Sequence, residues 1–143
     1  MVEIALLGGK VTKRALPLVQ PPSTADSPTL KRLMLPQGEL AQFYDGEEGI
    51  RYIAQIELQA GSVRGNHYHK VKHEWVYMMS GEVTLIVEDL ESKARETALL
   101  VPGDLAFIQT GVAHALQVIK SGQAIEFSTA RFDPADIYRH KLV

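Results

Sequence analysis

From Leu30 onward the chain is cut at short intervals by turn residues, and nothing between the cuts has the periodicity of an amphipathic helix. The cuts fall at Ala60-Gly61-Ser62, Ser80-Gly81, Pro102-Gly103, Thr110-Gly111 and Ser121-Gly122. Between and around them lie short stretches rich in β-branched and aromatic residues: Ile50 to Leu58, Glu74 to Met79, Val83 to Val87, Ala98 to Val101, Leu105 to Ile108, His114 to Ile119 and Ala124 to Thr129. Many short strands at near-regular spacing predict an all-β fold, a barrel or sandwich.

A chain of 143 residues has room for one such core and not for a second. The first 29 residues read differently from the rest. The stretch Gln20 to Pro28, QPPSTADSP, suits a linker, and Val2 to Leu7 suits an edge strand, kept in its own subunit or lent to a partner. The expected organisation is an N-terminal arm and proline-containing linker over 1–29 and a barrel over 30–143.

Charge excludes several partners. Fifteen basic against 17 acidic residues leave a net of −2 with no basic stripe, so nucleic acid and anionic membranes have no electrostatic footing. No apolar run reaches the roughly 20 residues of a membrane span. The opening MVEIALLGGKVTKR places Glu3 ahead of its apolar patch and the basic cluster behind it, the reverse of a signal peptide, so a cytoplasmic location is expected. With no cysteine, disulfides, thiolate nucleophiles and sulfur-ligated metals are ruled out together.

The chemistry concentrates in His67, His69, Glu74 and His114. Two strand residues flanking Tyr68 point to one face, so both imidazoles can aim at a common point. Lys70 to His73 form a short reversal, and Glu74 opens the next strand, where an antiparallel hairpin sets its carboxylate beside the histidines. His114 follows the turn at Gly111, on a strand that a barrel brings beside that hairpin. Three imidazoles and one carboxylate suit a single divalent transition metal: Zn, Fe, Mn, Ni, Cu or Co. His73 and His140 lack such partners in the pattern and read as solvated.

These residues carry a resemblance. Gly61, then His67-Tyr68-His69, Glu74 and Gly81 resemble the first motif of the cupins, and Gly103, Gly111 and His114 resemble the second. Gln109 stands where the family usually has proline, and Val118 where it often has asparagine. The resemblance covers about Leu30 to Arg131 and implies a jelly-roll-like β-barrel with a metal on the four residues above. Within that family, RGNHYH (Arg64 to His69) and FDPADIY (Phe132 to Tyr138) are similar to the C-terminal cupin domain of bacterial capsular-polysaccharide sugar reductases, which epimerises a keto nucleotide sugar using a bound metal. The second segment is two residues shorter here and lacks the second proline. Without a functional role, the two segments would shape a strand entry and cap the barrel.

The resemblance implies a metal-dependent epimerase or isomerase acting on a small-molecule substrate, a sugar or nucleotide sugar. Epimerisation beside a ketone needs a base and an acid on opposite faces of one carbon. Tyr52, Tyr77, His73 and Glu126 are the candidates, and Arg64 is a candidate for a substrate phosphate or carboxylate. The same four ligands would equally serve a non-haem metal-dependent dioxygenase, or a non-catalytic small-molecule-binding cupin. Barrels of this kind pair through outer strands, so a homodimer is expected.

Overall fold

The computed structural model describes residues 2–143 and contains fourteen strands with two 3-10 turns. In chain order these are β1 (Val2–Leu6), β2 (Val11–Ala15), β3 (Leu18–Val19), β4 (Lys31–Leu35), β5 (Gly38–Gln42), β6 (Tyr52–Leu58) and β7 (Val63–Tyr68). There follow β8 (Glu74–Met78), β9 (Glu82–Asp89), β10 (Arg95–Leu100), β11 (Asp104–Ile108), β12 (Val112–Lys120), β13 (Gly122–Ser128) and β14 (Tyr138–Arg139). The 3-10 turns span Leu7–Gly9 and Pro134–Asp136. Among the described residues, no helix is long and apolar enough to cross a membrane.

Three sheets form. A six-stranded sheet runs β1-β2-β11-β8-β13-β6, a five-stranded sheet runs β10-β9-β12-β7-β14, and a small sheet runs β3-β4-β5. Apart from the parallel pair β3 and β4, every pairing is antiparallel. The two larger sheets enclose the core, and period-two alternation decides what enters it. Val76 and Met78 of β8 meet Val83, Leu85 and Val87 of β9, with Ala106, Ile108, Val112, Leu116 and Ala124. All are nearly or fully withdrawn from water.

The alternate residues of the six-stranded sheet are also covered. Tyr77, Leu105 and Phe127 face outward onto Phe43, Tyr44 and Ile50, with Phe43 and Tyr77 stacked at 4.3 Å. β8 is therefore buried on both faces, and its sequence reads as a nearly unbroken apolar run after Glu74.

The expected edge strand near the N-terminus is β1, and it pairs with β2 of its own chain, Ile4 opposite Lys13. β2 in turn pairs with β11, Phe107 opposite Thr12. Within the N-terminal 29 residues, Val2–Leu6 and Val11–Ala15 are strands of the six-stranded sheet, Leu18–Val19 joins the small sheet, and the stretch over Gln20 to Pro28 has no strand. Thr12, Lys13 and Arg14 disguise β2, because their polar ends reach water or partners while the backbone completes the ladder; Lys13 Nζ donates to the Leu99 carbonyl.

Candidate metal centre

β7 and β12 lie side by side with His67 directly opposite His114. β8 starts at Glu74, on the face that continues as Val76 and Met78, so the carboxylate points into the barrel. His69 lies one residue beyond β7 and is brought round by the reversal that follows. The side chains of His67, His69, Glu74 and His114 offer ligand atoms that all lie within 4.8 Å of one another. The four side chains thus form one cluster, which could hold a metal ion.

Three observations fit that role. Glu74, His69 and His114 are only 2%, 5% and 5% exposed, a setting in which polar atoms require partners. Yet His69 Nε2, His114 Nε2 and Glu74 Oε2 make no hydrogen bond. His114 Nε2 lies 2.8 Å from Glu74 Oε1, close enough for an ion pair but misaligned for a hydrogen bond. Groups that crowd together without addressing one another are aimed at a point between them.

The rings are oriented from behind. A carbonyl can only accept, so the contact of His69 Nδ1 with the Asp136 carbonyl, 2.7 Å, makes Nδ1 the protonated nitrogen. His114 Nδ1 likewise donates to the Val112 carbonyl at 3.1 Å. Both rings then turn Nε2 inward, the arrangement of metal-ligating imidazoles with an outer hydrogen-bond partner. Burial, then His114 and His69, lower the His67 pKa to about 4, so that ring is neutral and available as a ligand at neutral pH. Burial likewise lowers the pKa of His69. Burial opposes the charge on Glu74, but His114 and Lys72 outweigh it and hold the carboxyl well below its usual range.

The remaining candidates divide by strand parity. Glu126, on the inner face of β13, lines the same cavity as His67, Glu74 and His114, together with Arg64 at its rim. Arg64 is exposed and its Nε donates to the Glu57 carbonyl at 3.0 Å. Tyr52 faces the cavity side of β6, with Lys72 Nζ 4.8 Å from its ring centroid. Two candidates lie elsewhere. Tyr77 and His73 fall on the outward parity of β8 and its approach: Tyr77 stacks on Phe43, and His73 packs on Trp75 and Phe107 with Nε2 3.2 Å from Thr129 Oγ1. The sheet separates both from the cavity. His140, expected to be solvated, is half-buried with Nε2 2.6 Å from Glu88 Oε2.

Sequence reasoning missed Lys72. It sits in the reversal, where a lysine normally faces water, but here it is 8% exposed. Its Nζ lies 3.4 Å from Glu74 Oε2 and 3.6 Å from Glu126 Oε1. Burial opposes its charge, yet the two carboxylates prevail and raise its pKa, so it is an ammonium. Burial and Glu74 together raise the pKa of Glu126. The cavity thus holds one carboxyl with weakened acidity beside the ligand cluster, and behind that carboxyl stand a fixed cation and a phenol.

The comparisons agree with this architecture. The family model described as "Cupin domain" matches residues 54–128. This chain belongs to the cupin family. No curated protein matches it in sequence. Among solved structures it is similar to the RmlC epimerase of Mycobacterium tuberculosis, at 14% identity and a TM-score of 0.74 over 97% of this chain and 72% of that one. It is also similar to the dTDP-6-deoxy-D-glucose-3,5-epimerase RmlC of Legionella pneumophila, in complex with dTDP-4-keto-L-rhamnose, at 14% identity and a TM-score of 0.74, covering 96% and 76% of the two chains. The WlaRB TDP-quinovose 3,4-ketoisomerase of Campylobacter jejuni gives 20% identity and a TM-score of 0.66, covering 78% and 89%. At these identities the likeness establishes the fold.

Proposed function

We propose that the protein is a nucleotide-sugar epimerase or isomerase that carries one divalent transition metal on His67, His69, Glu74 and His114. The observation that carries this reading is Glu126, a carboxyl outside the ligand cluster that lines the same cavity as His67, Glu74 and His114 and is backed by Lys72, which in turn lies over the Tyr52 ring. Several solved structures of similar fold are epimerases and ketoisomerases of dTDP- and TDP-sugars, which supports the substrate class.

When bound, the ion supplies Lewis acidity toward a carbonyl oxygen. The chain's own groups supply the rest. Glu126 is the cavity carboxyl outside the ligand set, and as its carboxylate it takes the proton from the carbon beside the ketone. Lys72, fixed between Glu74 and Glu126, places positive charge where the enolate oxygen develops. The Tyr52 hydroxyl, on the same sheet wall as Glu126, stays protonated because burial followed by Glu126 raises its pKa, and it donates to the substrate from that side, the geometry of a same-face proton return in a ketoisomerisation. Arg64, which also lines the cavity, is the cation that would meet a phosphate of the nucleotide.

The deciding experiment is deuterium wash-in. Metal-loaded protein incubated in heavy water with a dTDP-4-keto-6-deoxy sugar should place deuterium on carbon next to the ketone, and Glu126→Gln should abolish it. No wash-in by loaded protein overturns the reading; oxygen consumption by the iron-loaded form would instead point to a dioxygenase.

A cytoplasmic homodimer belongs to the same proposal. β1 is a free sheet edge carrying Val2 and Ile4, 67% and 44% exposed, which suits pairing with a second copy. A light-scattering mass near the monomer's 15.8 kDa would overturn it.

A further inference from the structure

The C-terminal turn does more than close the end of the barrel. Asp136 ends the 3-10 turn Pro134–Asp136 and is 8% exposed. Its carboxylate spans the reversal after His69: Oδ1 accepts from the Lys70 and Val71 amides at 2.8 and 3.2 Å, and Oδ2 from those of Val71 and Lys72 at 3.2 and 3.0 Å. Its main-chain carbonyl accepts the Nδ1 proton of His69. One residue, more than sixty positions away in sequence, therefore grips three successive amides and the ring between them and the barrel.

This differs from how the other ligands are held. His114 donates to a carbonyl two residues back on its own strand, so β12 alone fixes its ring. His69 has left β7 and has no strand of its own to orient it. The same three amides also set the start of the Lys72 side chain, which reaches Glu74 and Glu126.

We propose that Asp136 is a positioning residue of the metal centre: its carboxylate locks the reversal so that its carbonyl fixes His69 in the Nδ1–H form with Nε2 turned to the other ligands. The affinity part rests on the metal reading above, whereas the tautomer part does not. A charged acceptor receiving several amide bonds is rigid, and outer partners of ligating imidazoles are worth about 10–100-fold in metal affinity.

The test compares Asp136→Ala with Asp133→Ala in the 143-residue chain. Asp133 caps the same turn through the Ala135 amide at 2.9 Å and touches no residue of the reversal, so its loss reports what loosening the turn does by itself. Zinc competition titrations should show Asp136→Ala binding about 10–100-fold more weakly, with Asp133→Ala close to the parent. Nitrogen-15 spectra of metal-free protein should show a single His69 Nδ1–H tautomer in the parent and in Asp133→Ala, and a tautomer mixture in Asp136→Ala. If Asp136→Ala does not fold, Asp136→Asn serves in its place, since its amide group must face backbone donors and breaks part of the grip. An unchanged tautomer and unchanged affinity, whatever the melting temperature, would reduce Asp136 to a brace and overturn the proposal. Failure of the parent to bind zinc, iron or cobalt would overturn the metal reading, and the tautomer spectra would still decide the role of Asp136.

Discussion

Gly65 on β7 lies so close to the backbone of His114 that a Cβ there would sit 2.7 Å from the His114 carbonyl oxygen. Its φ of +89° is also one that L side chains avoid. The contact falls where the β7–β12 register shifts, between His114 and Ala115. Gly65→Ala must therefore strain its own backbone and push β12 away. The expected cost is about 2–3 kcal/mol, read as a lower denaturation midpoint at unchanged slope. A parental midpoint would mean that the two strands can separate locally without penalty.

Removing a ligand should do something different. His114→Ala takes one donor from the cluster and leaves β12 paired on both sides. Metal content measured by mass spectrometry should fall from one per chain to a trace, with affinity down by more than about a hundredfold, beyond the loss of an outer partner. The parent should gain about 2.7 kcal/mol of stability at a metal concentration a hundred times Kd, and the variant almost none.

Parity on β8 predicts a contrast between two conservative changes. Tyr77→Phe deletes a hydroxyl on the outer aromatic layer and should leave turnover of a keto nucleotide sugar within about twofold. Glu126→Gln keeps the shape of the cavity but removes a proton acceptor and should lower kcat by about 10²-fold or more. Equal losses in both would contradict the separation of the two faces.

Arg32 and Glu39 pair through two bonds, Nε to Oε2 at 2.8 Å and Nη2 to Oε1 at 2.9 Å, and Arg32 Nη1 also donates to the Pro102 carbonyl at 3.3 Å. The small sheet is thus tied to the β10–β11 turn. The Arg32 bond lowers the Glu39 pKa below its ordinary 4.5, so the pair's contribution is fully present above that value and is lost as pH falls through the folded pKa. Arg32→Ala should cost about 1 kcal/mol or less near pH 7, since both groups are partly exposed. The difference from the parent should shrink below about pH 4 in chemical denaturation. A gap that widens in acid would reverse the sign argued here.

The ligand set was legible where its geometry is local. His67 on β7 and the short reversal to Glu74 are set by local spacing, whereas His69 lies one residue past β7 and takes its orientation from Asp136. Tyr77 could have been placed as well: once Glu74 points inward, 76 and 78 follow it and 77 does not. The aromatic residues on the outer face of β8 masked that alternation. Lys72 and Asp136 were not readable, because a reversal lysine turns inward only when something distant pins the reversal. β2 was hidden for another reason, its polar side chains leaving the strand visible only in its pairing with β11.

Protein synthesis runs in one direction, and the turn Pro134–Asp136 emerges after the barrel strands that carry the cluster. All four ligands precede residue 136 in the chain. A nascent barrel can therefore bring its donors together while His69 is still free to rotate, and only the docking of Asp136 removes that slack. An ion on the proposed cluster would be gripped more loosely before that docking than after it, so the turn would act as a late clasp on the site.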